Sequence, residues 1–107
     1  MTRRFRSTRK FDKQFQTLDK NTSKQASKAV ELFIENPTHP SLHYKKIKGT
    51  SNFYEIRVNI SVRIIIEVTS DDNDQINIFY ILGTHTERYV RWCERSATQL
   101  IFYLYIA

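Results

Sequence analysis

The chain has 107 residues, 40% of them hydrophobic, enough for one compact core and too few for a second. Seventeen Lys and Arg against eleven Asp and Glu give a formal net charge of +6, which favours polyanionic partners, nucleic acid or an acidic protein, through long-range attraction and counterion release. The lone Cys93 excludes an internal disulfide, and there is neither an apolar h-region after MTRRFR nor a run of ~20 apolar residues, so a reducing cytoplasm and no membrane partner are expected.

In chain order, Phe5 lies in a short basic segment to which the pattern assigns no element. Phe11, Phe15 and Leu18 then recur at helical spacing with Lys and Gln between them, predicting an amphipathic helix over about 8–19. Thr22 and Gln25 have capping-box spacing, and Ala26, Ala29, Val30, Phe33 and Ile34 form one stripe until Asn36-Pro37 stops it, predicting a second helix over about 23–35. The short polar link Asp19-Lys20-Asn21 implies an antiparallel pair. From about position 44 the period becomes two, with β-branched and aromatic residues concentrated over about 53–58, 62–69 and 75–83; Ser70-Asp71-Asp72-Asn73-Asp74 has the composition of a hairpin turn between the last two. Helices first and a meander afterwards predict an α+β fold: an N-terminal antiparallel helix pair packed on one face of a small, mainly antiparallel, twisted β-sheet.

Alternation places Tyr54, Ile56, Val58, Val62, Ile64, Ile66 and Val68 on the apolar face, and Phe53, Glu55, Arg57, Arg63, Ile65 and Glu67 on the other. A hairpin centred on Ile60 sets Val58 opposite Val62 and Arg57 opposite Arg63. Like charges across a sheet cost up to ~1 kcal/mol, so the arginine pair invites an anion such as a phosphate, unless Glu55 and Glu67 neutralise it in a surface lattice. A slip of one residue would separate the pair, since no glycine fixes this loop. His39 and His43 flank a connection after the second helix, where a histidine is ordinarily a loop or packing residue, and no third ligand at suitable spacing makes a metal site of them. Phe79 and Tyr80 read as strand core in preference to a base-stacking platform.

These pieces, NPTHPSL at the end of the helical pair, then KKIKG, then YEIRV and VRIII, then GTHTERY, resemble in order and spacing the RelE/ParE toxins of bacterial toxin–antitoxin pairs, from about Phe5 to Tyr89. The resemblance implies two helices against a twisted sheet whose concave side is the working surface. For the RelE-like branch it implies an mRNA interferase: an endoribonuclease, free of metal and cofactor, that cuts messenger RNA, commonly in the ribosomal A site, and is silenced by a cognate antitoxin. The implied partners are that antitoxin, messenger RNA and the ribosome, in a homo-oligomer or a toxin–antitoxin hetero-oligomer. Such a reaction must deprotonate a 2′-hydroxyl, spread the phosphorane charge and protonate the leaving 5′-oxygen.

Residue by residue, the resemblance makes Arg63 the stabiliser of the transition-state phosphate and His85 a general acid or base. Tyr89 matches an aromatic position that orients substrate or stacks on a base. Lys46 and Lys48 match positions that hold the RNA backbone, with Lys45 beside them, and Arg57 supports phosphate or pairs with an acidic neighbour. Lys45 stands where other members carry an acidic residue or a histidine, so the general base is open among His85, a lysine of lowered pKa and Glu55. Residues 1–90 then form the toxin domain. The extension 91–107, ending LIFYLYIA, departs from the family and is expected to pack on the same domain or on a partner. Two alternatives share the fold: a ParE-like gyrase inhibitor without nuclease activity, and an inactive antitoxin-binding relic. His85 alongside the lysine cluster favours the nuclease.

Overall fold

The structure is a computed structural model and describes residues 2–84. A strand β1 (Thr2–Ser7) leads into helices α1 (Arg9–Gln16) and α2 (Lys20–Glu35), a single 3-10 turn at Pro40–Leu42, and strands β2 (Lys45–Lys46), β3 (Phe53–Arg57), β4 (Val62–Asp71) and β5 (Asp74–Thr84). The five strands form one sheet in the order β1-β5-β4-β3-β2, antiparallel except where β1 runs parallel to β5. Both helices lie on one face, as the α+β reading expects. Phe11, Ala26, Ala29 and Phe33 from the helices meet Ile56, Ile64, Ile66, Phe79 and Leu82 from the sheet in the main core. Phe33 has no exposure and sits among Phe5, Tyr44 and Phe79, ring centroids 5.4–6.2 Å away.

The helix limits follow from capping. Thr8 caps α1, its hydroxyl accepting from the Phe11 N–H at 3.0 Å. The helix ends at Gln16, three residues before the predicted limit, because the Thr17 hydroxyl and N–H turn back to the Gln14 carbonyl. α2 starts at Lys20, earlier than predicted: Asp19 is the cap, its carboxylate accepting from Thr22 N–H at 3.3 Å, so Thr22 lies inside the first turn and is not the cap. Asn36 ends α2 before Pro37, as expected.

β1 corrects the reading of the basic N-terminal segment. Its partner is some 70 residues away (Phe5 opposite Asn77), so nothing local marks TRRFRS as a strand. Phe5 stacks on Phe79, while Arg3 lies 4.9 Å from the Phe5 ring centroid and 5.3 Å from that of Phe33. The Arg3 guanidinium also donates to the carbonyls of Phe33 and Ile34, placing a cation at the negative end of α2.

The hairpin register holds as read: Arg57 is opposite Arg63, and Val58 N–H donates to the Val62 carbonyl at 2.9 Å. Asn59 fixes this loop without a glycine, its side-chain oxygen accepting from both Ser61 and Val62 N–H at 2.8 Å. In the β4–β5 pairing, Ile65 faces Ile81 but Ile66 faces Phe79, which leaves Tyr80 as a bulge residue. Backbone groups of this stretch of β5 are taken up by the first layer of the fold: Thr8 hydroxyl donates to the Tyr80 carbonyl at 2.6 Å, and Gln14 accepts from Leu82 N–H at 2.8 Å. These bonds, on the edge of β5 beyond the last β1 pair (Ser7 with Phe79), seat α1.

Candidate functional site

On the face opposite the helices, the strand registers align side chains in rows running across the sheet. The first row is cationic. Arg57 and Arg63 are cross-strand neighbours, Gly83 stands opposite Arg63 on β5, and His43 lies two residues before Lys45 on the β2 edge, its Nε2 3.3 Å from Arg57 Nη1. The second row is Lys45, Glu55, Ile65 and Ile81. The third contains Phe53, Glu67 and Ile78, with Ile47 joined to Phe53 by a backbone hydrogen bond of 2.8 Å. Phe53, Ile65, Ile81 and Ile47 form a second apolar cluster, against which the bulge turns Tyr80, 5.5 Å from the Phe53 ring. The strand-core reading thus holds for Phe79, whereas Tyr80 belongs to the opposite face.

The two arginines are held differently. Arg63 is 8% exposed, and its Nη1 donates to the Asn59 carbonyl at 2.6 Å and to Val62 at 3.2 Å, which draws the guanidinium toward the hairpin loop. Arg57 turns the other way, to His43, and its buried Nε has no hydrogen-bond partner. This divergence relieves the like-charge contact that the register imposes. The two carboxylates of the same face have other attachments: Glu55 pairs with Lys45 at 3.2 Å, and Glu67 accepts from Asn52 Nδ2, also at 3.2 Å. Burial pushes the Glu67 carboxyl above its ordinary range, more than the Asn52 bond lowers it.

The structure brings together Arg57, Arg63 and Lys45 of the residues singled out in the sequence. Lys46 pairs with Tyr54, whose ring stacks on Tyr44 (5.0 Å) and through it reaches Phe33, so the register puts Lys46 on the helix side of the edge. Lys48 is exposed in the turn after β2, next to Gly49, whose φ of +84° suits that turn to glycine. His85 and Tyr89, and the extension 91–107, lie outside the described residues. His43, read as a loop histidine, is the residue that sequence reasoning missed. No sequence signal marks it, because its ring is brought to Arg57 by the left-handed turn that follows Pro40–Leu42.

The first row can hold a phosphodiester: two guanidiniums supply charge and directed donors, and an exposed imidazole lies at their edge. Exposed Lys45 and Lys48 extend the positive surface along the same edge.

No curated protein matches the sequence. Among solved structures, the chain is similar to a mutant of the E. coli toxin RelE in the free state (TM-score 0.61, 18% identity, covering 85% of this chain and 92% of that one). It is similar to the YoeB/ParE toxin from Agrobacterium tumefaciens (TM-score 0.60, 13% identity, 80% and 100% covered). A third likeness is to the RelB–RelE antitoxin–toxin complex from Methanococcus jannaschii (TM-score 0.57, 26% identity, 78% and 93% covered). The family model for the ParE toxin of type II toxin–antitoxin systems, parDE, matches residues 5–89. With four-fifths of its length within that match and the helix pair on a five-stranded sheet, the chain belongs to the RelE/ParE toxins of type II toxin–antitoxin systems.

Proposed function

We propose that this toxin is an endoribonuclease of the RelE-like kind, cutting messenger RNA by attack of the 2′-hydroxyl on the adjacent phosphorus. The observation that carries the reading is the cationic pair Arg57 and Arg63, aligned by register on the face opposite the helices, with His43 against Arg57. Charge placed where the phosphorane develops is the main thing such a reaction asks of a protein, and it needs no metal. Lys45 and Lys48 serve the RNA backbone, and Lys46 reaches it only at the edge of the sheet. His85 supplies the proton to the leaving oxygen and Tyr89 orients the substrate. The partner in the cytoplasm is an antitoxin, by analogy with the antitoxin–toxin complex from M. jannaschii.

Primer extension on a defined messenger RNA, with and without translating ribosomes, tests this. Parent protein is expected to cut, and Arg57→Ala to cut about 10²-fold more slowly, the usual cost of removing one donor to a developing charge. Folded parent that leaves RNA intact refutes the reading. Gyrase inhibition is the second reading, favoured by one observation, that the matching family model is that of ParE. Loss of DNA supercoiling by purified gyrase, with RNA untouched, would establish it instead.

A further inference from the structure

We infer that His43 is the general base that takes the 2′-hydroxyl proton. The inference rests on the ribonuclease reading above and names a residue for the step that the resemblance left open.

Three observations carry it. First, the neighbouring carboxylate on this face is engaged: Glu55 is 6% exposed and ion-paired with Lys45 at 3.2 Å. Second, His43 precedes β2 and its ring reaches this face, with Nε2 3.3 Å from Arg57 Nη1, and it is exposed. Third, its ring meets the arginine row through a ring nitrogen. Arg57 Nη1 can only donate, so its 3.3 Å contact with Nε2 is a hydrogen bond only when Nε2 carries a lone pair. An imidazole that accepts there is a base held beside the place where the phosphodiester would lie. Among the described residues, the other charged groups on this face include Arg63 on β4, the Lys45–Glu55 pair on β2 and β3, and Glu67 on β4.

His43 is presented in a special way. It follows the 3-10 turn, its N–H bonded to the Pro40 carbonyl, with φ of 49° and ψ of 44°. This left-handed conformation is uncommon for a residue with a Cβ and is one that Asn and Gly accept readily. In the step, Arg57 turns from Nε2 to the bound phosphate, and the 2′-hydroxyl proton passes to the freed Nε2 as the O2′–P bond forms and the P–O5′ bond breaks. The leaving oxygen takes a proton from a second acid or water, and the imidazolium then returns its proton to solvent. The products are a 2′,3′-cyclic phosphate and a 5′-hydroxyl.

The experiment compares single-turnover cleavage by parent, His43→Asn and His43→Gly across pH on one defined RNA, with ribosomes present. Melting curves serve as the folding control, and binding is read with the same RNA carrying a 2′-deoxy nucleotide at the cut. Expected are parent-like melting and binding, a fall in cleavage of roughly 10²–10⁴-fold for both variants, loss of the parent's acidic limb, and partial rescue of His43→Gly by added imidazole. Cleavage within about threefold of parent, or an unchanged pH profile, overturns the inference while the ribonuclease reading stands. Loss fully accounted for by weaker binding also overturns it. A folded parent that cuts nothing takes down both.

Discussion

Arg57 and Arg63 face each other across one hairpin, yet truncating them should have opposite consequences for stability. Arg63→Ala removes a charged donor from the Asn59 carbonyl at 2.6 Å and from Val62 at 3.2 Å, and both acceptors shape the hairpin loop. Hydrogen bonds to charged groups are worth about 1.5–3 kcal/mol, and relief of the cross-strand repulsion returns up to ~1 kcal/mol, so the net cost is about 1–3 kcal/mol. For a domain of this size that lowers Tm by roughly 4–20 °C. Arg57→Ala loses an exposed 3.3 Å contact to His43, relieves the same repulsion and removes a buried Nε that has no partner. An orphaned buried donor costs about 1–3 kcal/mol, so Arg57→Ala should change stability by less than ~1 kcal/mol or raise it. Urea unfolding followed by circular dichroism measures both, provided the m-value is unchanged. Equal costs for the two, or a larger cost for Arg57→Ala, would refute the hydrogen-bond assignments. It follows that Arg57→Ala is the cleaner variant for testing cleavage, because loss of activity in Arg63→Ala mixes chemistry with folding.

Phe33→Ala should cost about 3–5 kcal/mol, since the side chain is fully buried among three aromatic rings and under Arg3, and Phe33→Leu should cost less than half of that in the same denaturant titration. Thr8→Ala removes the cap of α1 together with its 2.6 Å bond to the bulge carbonyl, so a loss of about 1–2 kcal/mol is expected, against a few tenths for Thr17→Ala at the exposed end of the same helix. For Glu67 the native state holds its proton more tightly than the unfolded chain, so stability is lost as pH rises past the ordinary value of 4.5. Glu67→Gln, which preserves an acceptor for Asn52, should therefore raise Tm at pH 7, with the gain shrinking as pH falls toward 4.5 and gone below it; a gain independent of pH would show that charge burial is not the cause.

The sequence by itself determined whatever rests on period and local chemistry. The alternation through β3 and β4 was enough to separate the core face from the working face, and the structure settled the register it left open, with Arg57 opposite Arg63 and Ile56 and Ile64 buried. The order of motifs carried the family. Only the tertiary structure decided what depends on distant pairing. β1 is a strand because β5 offers it a parallel edge, with Phe5 reaching between Phe33 and Phe79, and TRRFRS carries no local sign of this. The bulge at Tyr80 breaks the period of two, so alternation along β5 misassigns the face of one aromatic residue. β2 is two residues long, too short for any periodic signal, yet its register sends Lys45 and Lys46 to opposite faces, and the left-handed turn before it brings His43 against Arg57. Adjacent basic residues look equivalent in a sequence. A strand separates them because successive side chains point to opposite sides of the sheet, and which side is which is fixed by a partner strand elsewhere in the chain.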